Sequence, residues 1–114
     1  MLDTIIEFRK GILFVRLIGE LTKNTVSILE NEVIDLIETN GIRNVVFNIE
    51  NLDYIDLRGI NYLLYTYEVC KNNHGRSLLC GINSEVKDKI KTSRLLNYMV
   101  ETKDELSALK IMNI

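Results

Sequence analysis

The chain contains no proline. No linker, repeat or low-complexity segment divides it, so residues 1–114 are expected to form one domain. It also lacks any apolar run near the ~20 residues needed to cross a bilayer. Its start, "MLDTIIEFRKG", carries acids and no apolar signal core. A cytoplasmic protein with no membrane span is the expectation. There is no excess of positive charge: 14 Lys and Arg against 16 Asp and Glu leave a net charge of -2. That opposes nucleic-acid binding, which needs a basic face to neutralise phosphates. Only two cysteines occur, Cys70 and Cys80, ten positions apart. The spacing suits neither zinc nor a disulfide framework, so both should be reduced core thiols.

Other shortages narrow the chemistry. The one histidine, His74, lies in the polar turn "KNNHG" with no ligand-spacing partner nearby. A serine–histidine–acid set or a histidine metal site is therefore not expected. Gly19, Gly41, Gly59 and Gly75 are isolated and suit turns or caps, so no glycine-rich phosphate loop is present. An alternating chain of this size with an aspartate after its third strand invites comparison with a response-regulator receiver. A receiver needs an acidic pair after its first strand to hold magnesium, and here that strand runs into "RKG". No cofactor, metal or catalytic residue is expected, and the chain does not read as an enzyme.

What is present is periodic. Hydrophobic residues make up 46% of the chain, enough for a core, beside an ordinary 26% of charged ones. "TIIEF" and "ILFVRLI", joined across Lys10-Gly11, read as an antiparallel hairpin. "GEL" leads to Thr22, a candidate cap for a helix bearing Val26, Leu29, Val33, Ile34 and Ile37 and stopped by Gly41. "NVVFNI" is a short, nearly continuous apolar run, as expected of a strand covered on both faces. A loop "ENLDYID" follows.

The next helix carries Ile60, Leu63, Leu64, Tyr67 and Cys70 on one side, with Gly75 placed to end it. Tyr67 should be core, whereas Tyr62 and Tyr65 are either half-buried or open to a partner. "SLLCGI" is a strand, Asn83 or Ser84 opens a helix facing inward through Val86 and Ile90, and "NYMVE" is a weak strand. Thr102 and Glu105 form a capping box for a last helix bearing Leu106, Leu109 and Met112.

Strands are thus predicted near 4–9, 12–18, 44–49, 77–82 and 98–101, and helices near 23–38, 58–72, 84–92 and 103–111. Ile34, Val46, Ile49, Leu63, Leu64 and Leu79 should be buried. The fold class is α/β, a mixed sheet of four to five strands with an opening antiparallel hairpin, parallel crossovers and about four helices.

The acids Glu50, Asp53 and Asp56 cluster after the third strand, where turn and cap formation alone could account for them. Ligands and partners of open α/β sheets also meet the fold at such strand ends. Arg58 is locally out of place, because a helix start carries partial positive charge and favours anions. In its plainest role it is a solvated cation near Asp56 or Glu20.

At "LIGELTKNTVSILENEV", "IRNVVFNIENLDYIDLRGINYLL" and "GRSLLCGINSEVKDKIKTSRLLNYM", the chain resembles the STAS-domain anti-sigma-factor antagonists of bacteria, over nearly its whole length. "GEL" running into a helix, a strand followed by "LDYID", and D-x-x-G-[IL] opening the next helix carry the likeness together. The resemblance implies a STAS-like fold and a non-enzymatic regulator. Such a regulator binds an anti-sigma factor that is also a serine kinase and so frees a sigma factor.

In that family the kinase silences the antagonist by phosphorylating a hydroxyl residue in a pattern like D-S-[ST]-G. Here Asp56 and Gly59 match its ends, while Leu57 and Arg58 replace the hydroxyl residues, and Arg58 falls on the phosphorylation site. The implied partner surface is Glu20, Thr22 and Asn24 with Asp56, Leu57, Arg58, Gly59 and Asn61. In the alternative reading, the chain is a STAS scaffold or sensor module that meets other STAS chains in a larger assembly. The sequence leaves open whether Thr22, Ser27 or Ser84 carries regulation instead.

Overall fold

The computed structural model describes residues 1–112. Strands β1 (Leu2–Arg9) and β2 (Ile12–Leu21) form the expected hairpin. Lys10 and Gly11 both take positive φ, 54° and 79°, which is the twist a two-residue hairpin turn requires. β3 (Asn44–Ile55), β4 (Arg76–Cys80) and β5 (Val100–Thr102) follow. The sheet order is β1-β2-β3-β4-β5, antiparallel for the first pair and parallel for the rest. This is the mixed sheet expected.

β3 is twice as long as the apolar run suggested. "ENLDYI" is strand rather than loop, because β2 also extends to Leu21 and the two pair as far as Leu21↔Ile55. Leu52 and Ile55 point into the core, while Glu50, Asn51, Asp53 and Tyr54 face water. The strand is sparsely apolar because one side is wet. Two register shifts, between Arg16 and Ile18 and between Gly19 and Glu20, bend this extension.

Three helical units cover one face of the sheet. The first runs from 26 to 40 as α1 (Val26–Leu29), a π turn (Glu30–Ile34) and α2 (Asp35–Asn40), and Gly41 ends it at φ 67°. It starts three residues later than predicted. The others are α3 (Leu57–Asn72) and α4 (Lys87–Thr92). Their inward residues close on Leu13, Val15, Leu17, Val45, Phe47, Ile49 and Leu79 as one core. α5 (Glu105–Met112) alone packs on the opposite face, where Ala108 and Met112 meet Ile12, Phe14, Val46, Leu78 and Cys80.

Val46, Ile49, Leu63 and Leu79 are buried as expected, and Ile34 and Leu64 are only half-buried. Tyr67 is likewise half-buried and Tyr65 exposed. Tyr62 is buried and donates its hydroxyl to the Leu29 carbonyl at 3.2 Å, which ties α3 to α1. Both cysteines are buried and unpaired, and burial pushes each thiol up to about 12.

Local expectations fail at four other points. His74, not Gly75, takes the left-handed position after α3, at φ 64°. α4 starts at Lys87 rather than 84, because Asn83 Oδ1 accepts from the Glu85 and Val86 amides at 2.8 and 3.3 Å and holds a turn first. Residues 95–97 are a 3-10 turn, entered through left-handed Arg94, so the last strand shrinks to β5. The capping box also does not form. Asp104 Oδ1 accepts from the Ser107 amide at 2.8 Å and caps α5, Thr102 belongs to β5, and Glu105 turns to the sheet. Leu106 is consequently exposed.

Candidate functional site

β2 and β3 are parallel neighbours, so their carboxyl ends emerge side by side. The turn after β2, residues 22–25, therefore lies against the entrance of α3. Asp56 joins the two. Its Oδ1 accepts from the Gly59 amide at 2.9 Å and caps α3, and its Oδ2 accepts from the Lys23 amide at 3.0 Å. Its own amide donates to the Leu21 carbonyl at 3.2 Å. Burial alone would raise this carboxyl's pKa. The amides of Lys23, Gly59 and Arg58 outweigh that and hold it below the ordinary carboxylate value.

Gly59 is buried, and a Cβ there would run into the Leu21 carbonyl oxygen and lie 2.9 Å from Ile55 Cγ1. Only a glycine lets α3 begin this close to β2. Within the turn, Thr25 rather than Thr22 is the anchor. Its Oγ1 accepts from the Thr22 amide at 2.9 Å and donates to the Glu20 carbonyl at 2.8 Å. Thr22 Oγ1 accepts only from the Asn24 amide, at 3.2 Å, and does not cap the helix.

The residues singled out from sequence thus gather at one end of the molecule, in two classes. Asp56 and Gly59 hold the two segments together. Glu20, Asn24, Leu57, Arg58 and Asn61 face water, and Thr22 is half-buried. Leu57 is 69% exposed, an unusual place for a leucine. Arg58 is 61% exposed, and its nearest acid is neither Asp56 nor Glu20. It is Glu30, on the first turns of the neighbouring helix, at 3.9 Å. With Val26, Asn61, Tyr62 and Tyr65, these two line a hollow of about 200 Å³.

Sequence reasoning missed three features. The first is Glu30, whose helix had to be docked before its role could show. The second is a groove of about 470 Å³ on the other flank of the α3 entrance, lined by Leu57, Ile60, Asp88, Lys89, Thr92 and Ser93. Lys89 at its rim sits 2.8 Å from the Tyr54 hydroxyl and over that ring. The third lies on the α5 face. Arg16 pairs with Glu105 through two bonds of 2.7 and 2.8 Å and with Glu7 at 3.0 Å, and Asn48 donates to Glu105 at 2.8 Å. The Glu105 carboxyl is held below its ordinary value, chiefly by the Arg16 bonds. One signal was available: Arg16 and Asn48 each interrupt an apolar strand, and the two are register partners.

Among the described residues, no group of three or more His, Cys, Asp or Glu side chains is arranged to hold a metal ion. No helix among them is long and apolar enough to cross a membrane.

Comparison with known proteins agrees with this geometry. The STAS domain model matches residues 3–109. An anti-sigma F factor antagonist from Paenibacillus polymyxa is 26% identical over 108 residues, covering 95% of this chain and 92% of that protein. An anti-sigma factor antagonist from Mycobacterium paratuberculosis superposes with a TM-score of 0.88 at 18% identity, over 100% of this chain and 96% of that one. The antagonist SpoIIAA in its unphosphorylated form gives 0.84 at 20% identity, over 98% of both chains. At these identities the superpositions speak for the fold, and the match over residues 3–109 speaks for the family: the chain belongs to the STAS domain family.

Proposed function

We propose that this chain is a non-enzymatic regulator, one STAS domain over 1–114, that binds an anti-sigma factor of the serine-kinase type and thereby frees a sigma factor. It differs from the pattern its sequence resembles in having no phosphorylation switch at residue 58. Its partner surface is the exposed edge formed by Glu20, Thr22 and Asn24 with Leu57, Arg58 and Asn61, while Asp56 and Gly59 hold that edge in shape. The similarity to the Paenibacillus polymyxa antagonist supports the partner class.

One observation carries the reading of the switch. Arg58 stands exposed on the first turn of α3, where the resemblance puts a phosphorylatable hydroxyl; arginine has no hydroxyl for a serine kinase to modify, and its positive charge cannot imitate a phosphate. Its pairing with Glu30 is long and solvated, worth about 0–1 kcal/mol, so the cation is available to an acidic partner surface.

The test is capture from native cells with the intact chain, followed by affinity measurement on the recovered partner. A kinase-type anti-sigma factor is the expected catch. Arg58→Glu should weaken its binding by about 2 kcal/mol or more if the contact is desolvated. Folding should change little, because an acid suits the helix start by about 0.3–1 kcal/mol yet faces Glu30. Arg58→Ser should bind and become a substrate for that kinase. Unchanged affinity of Arg58→Glu, with its circular dichroism intact, would remove Arg58 from the interface.

A further inference from the structure

Among the described residues the sheet ends in two edge strands, β1 and β5, and only β1 is open along a useful length. β5 spans three residues and presents the exposed Glu101, so it offers little to another strand. β1 spans eight residues, contains no proline, and pairs with β2 without a register shift. Shortness, proline and bulges are the usual guards of a strand edge, and β1 has none of them. It also leaves Ile5 50% and Phe8 58% exposed, one on each face of the sheet. The free backbone groups follow from the ladder. The Met1 carbonyl accepts from the Glu20 amide at 2.9 Å, and Arg9 and Ile12 flank the two-residue turn. Odd-numbered residues of β1 therefore exchange bonds with β2, and the N–H and C=O groups of Thr4, Ile6 and Phe8 point outward.

We propose that β1 is the interface with a second copy of this chain: the two β1 strands pair antiparallel about a two-fold axis at Ile6 and join the sheets into one. Charge selects this register. Opposed side chains lie on the same face, so the strands can slide only in steps that keep odd residues opposite odd ones. With Ile6 on the axis, Asp3 of each copy faces Arg9 of the other. The outward groups of Ile6 then bond to Ile6 of the other copy, and those of Thr4 to Phe8. Phe8 and Ile6 of both copies form one apolar row on the helix-covered face, and the two Ile5 side chains lie diagonally across the axis on the other. Centred on Ile5, the pairing would set Asp3 against Glu7 twice; centred on Glu7, it would set Glu7 against itself. Arg9 is weakly held in its own chain, by a solvated 3.9 Å contact with Glu7 and a position over the Phe14 ring. A two-fold contact of this kind consumes both open edges and closes at two copies. No residue of the α3 entrance takes part, so both entrances stay free and the inference does not depend on the proposed partner.

Sedimentation of the intact chain at low salt tests this with two charge reversals, Asp3→Arg and Arg9→Asp, each checked for fold by circular dichroism. The wild-type chain should pass from monomer to dimer as its concentration rises. Each variant alone sets like charges opposite one another twice, so its dissociation constant should rise about tenfold. An equimolar mixture of the two variants restores both opposite-charge pairs in a mixed dimer and should associate like wild type. High salt should narrow these differences. Hydrogen exchange reads the backbone directly. The Thr4, Ile6 and Phe8 amides should slow as wild-type concentration rises, while those of Ile5 and Glu7, already bonded to β2, should not change. A wild-type chain still monomeric at about 1 mM overturns the proposal. So does a dimer that the single reversals leave unweakened, a mixture no tighter than its components, or protection that rises elsewhere than at β1.

Discussion

Gly59→Ala sets two physical effects against each other with opposite signs. Gly59 occupies the first turn of α3, and alanine is the better helix former by about 1 kcal/mol. Propensity alone therefore predicts stabilisation. The added methyl group, however, would overlap the Leu21 carbonyl oxygen and come within 2.9 Å of Ile55 Cγ1 and 3.0 Å of Leu21 Cγ. None of these is the free end of a flexible side chain. Leu21 and Ile55 are fully buried, they pair with each other in the sheet, and the Leu21 carbonyl already accepts the Asp56 amide. Overpacking at such a site costs about 1–3 kcal/mol. The net expectation is a loss of about 1 kcal/mol. In urea unfolding with a slope of about 1–1.5 kcal/mol/M, the midpoint should fall by about 0.7–1 M. The displaced helix should also lengthen the Lys23–Asp56 contact, so hydrogen exchange at the Lys23 amide should quicken. A midpoint that rises would show that α3 can back away from β2 at no cost, and would refute the argument that this glycine is fixed by close approach.

Three more outcomes follow from the same contacts. Leu63→Ala, at a fully buried position in the core cluster that includes Phe47, should cost about 2–5 kcal/mol in chemical unfolding; a cost under about 1 kcal/mol would mean the stripe of α3 is misassigned. Asp56→Asn keeps one cap acceptor but replaces the oxygen that receives the Lys23 amide, so it should cost about 1 kcal/mol, and the turn at 22–25 should exchange amide protons faster than the rest of the chain. Glu105 is depressed in the folded state, so the unfolded chain binds its proton more readily. Its contribution is complete above the ordinary glutamate value of 4.5 and is lost as pH falls through the lower folded value. Glu105→Gln should therefore lose stability at neutral pH and show a shallower acid limb below about 4.5, and an unchanged acid limb would show that the Arg16 pair does not form in solution.

The alternation of strand and helix was fixed by sequence-local rules. The hairpin turn at Lys10-Gly11, the stop at Gly41, the apolar runs of β2 through β4 and the inward stripe of α3 each follow from period and dihedral preference, which need no distant partner. The same holds for Asp56 as a cap and for the lack of a hydroxyl at Leu57 and Arg58. Local rules failed wherever a distant group decided the outcome. The second half of β3 is strand because β2 runs beside it, although its own residues look like a turn. Glu105 has the spacing of a capping box, yet Arg16 and Asn48, far away in sequence, offer it stronger charge-assisted bonds than a backbone amide would. Asp104 takes the cap instead. Arg58 could be read as misplaced from its own helix. Only the docking of the helix over 26–40 against α3 sets Glu30 within 3.9 Å, because a side chain's electrostatic neighbours depend on how elements pack and not on their order in the chain.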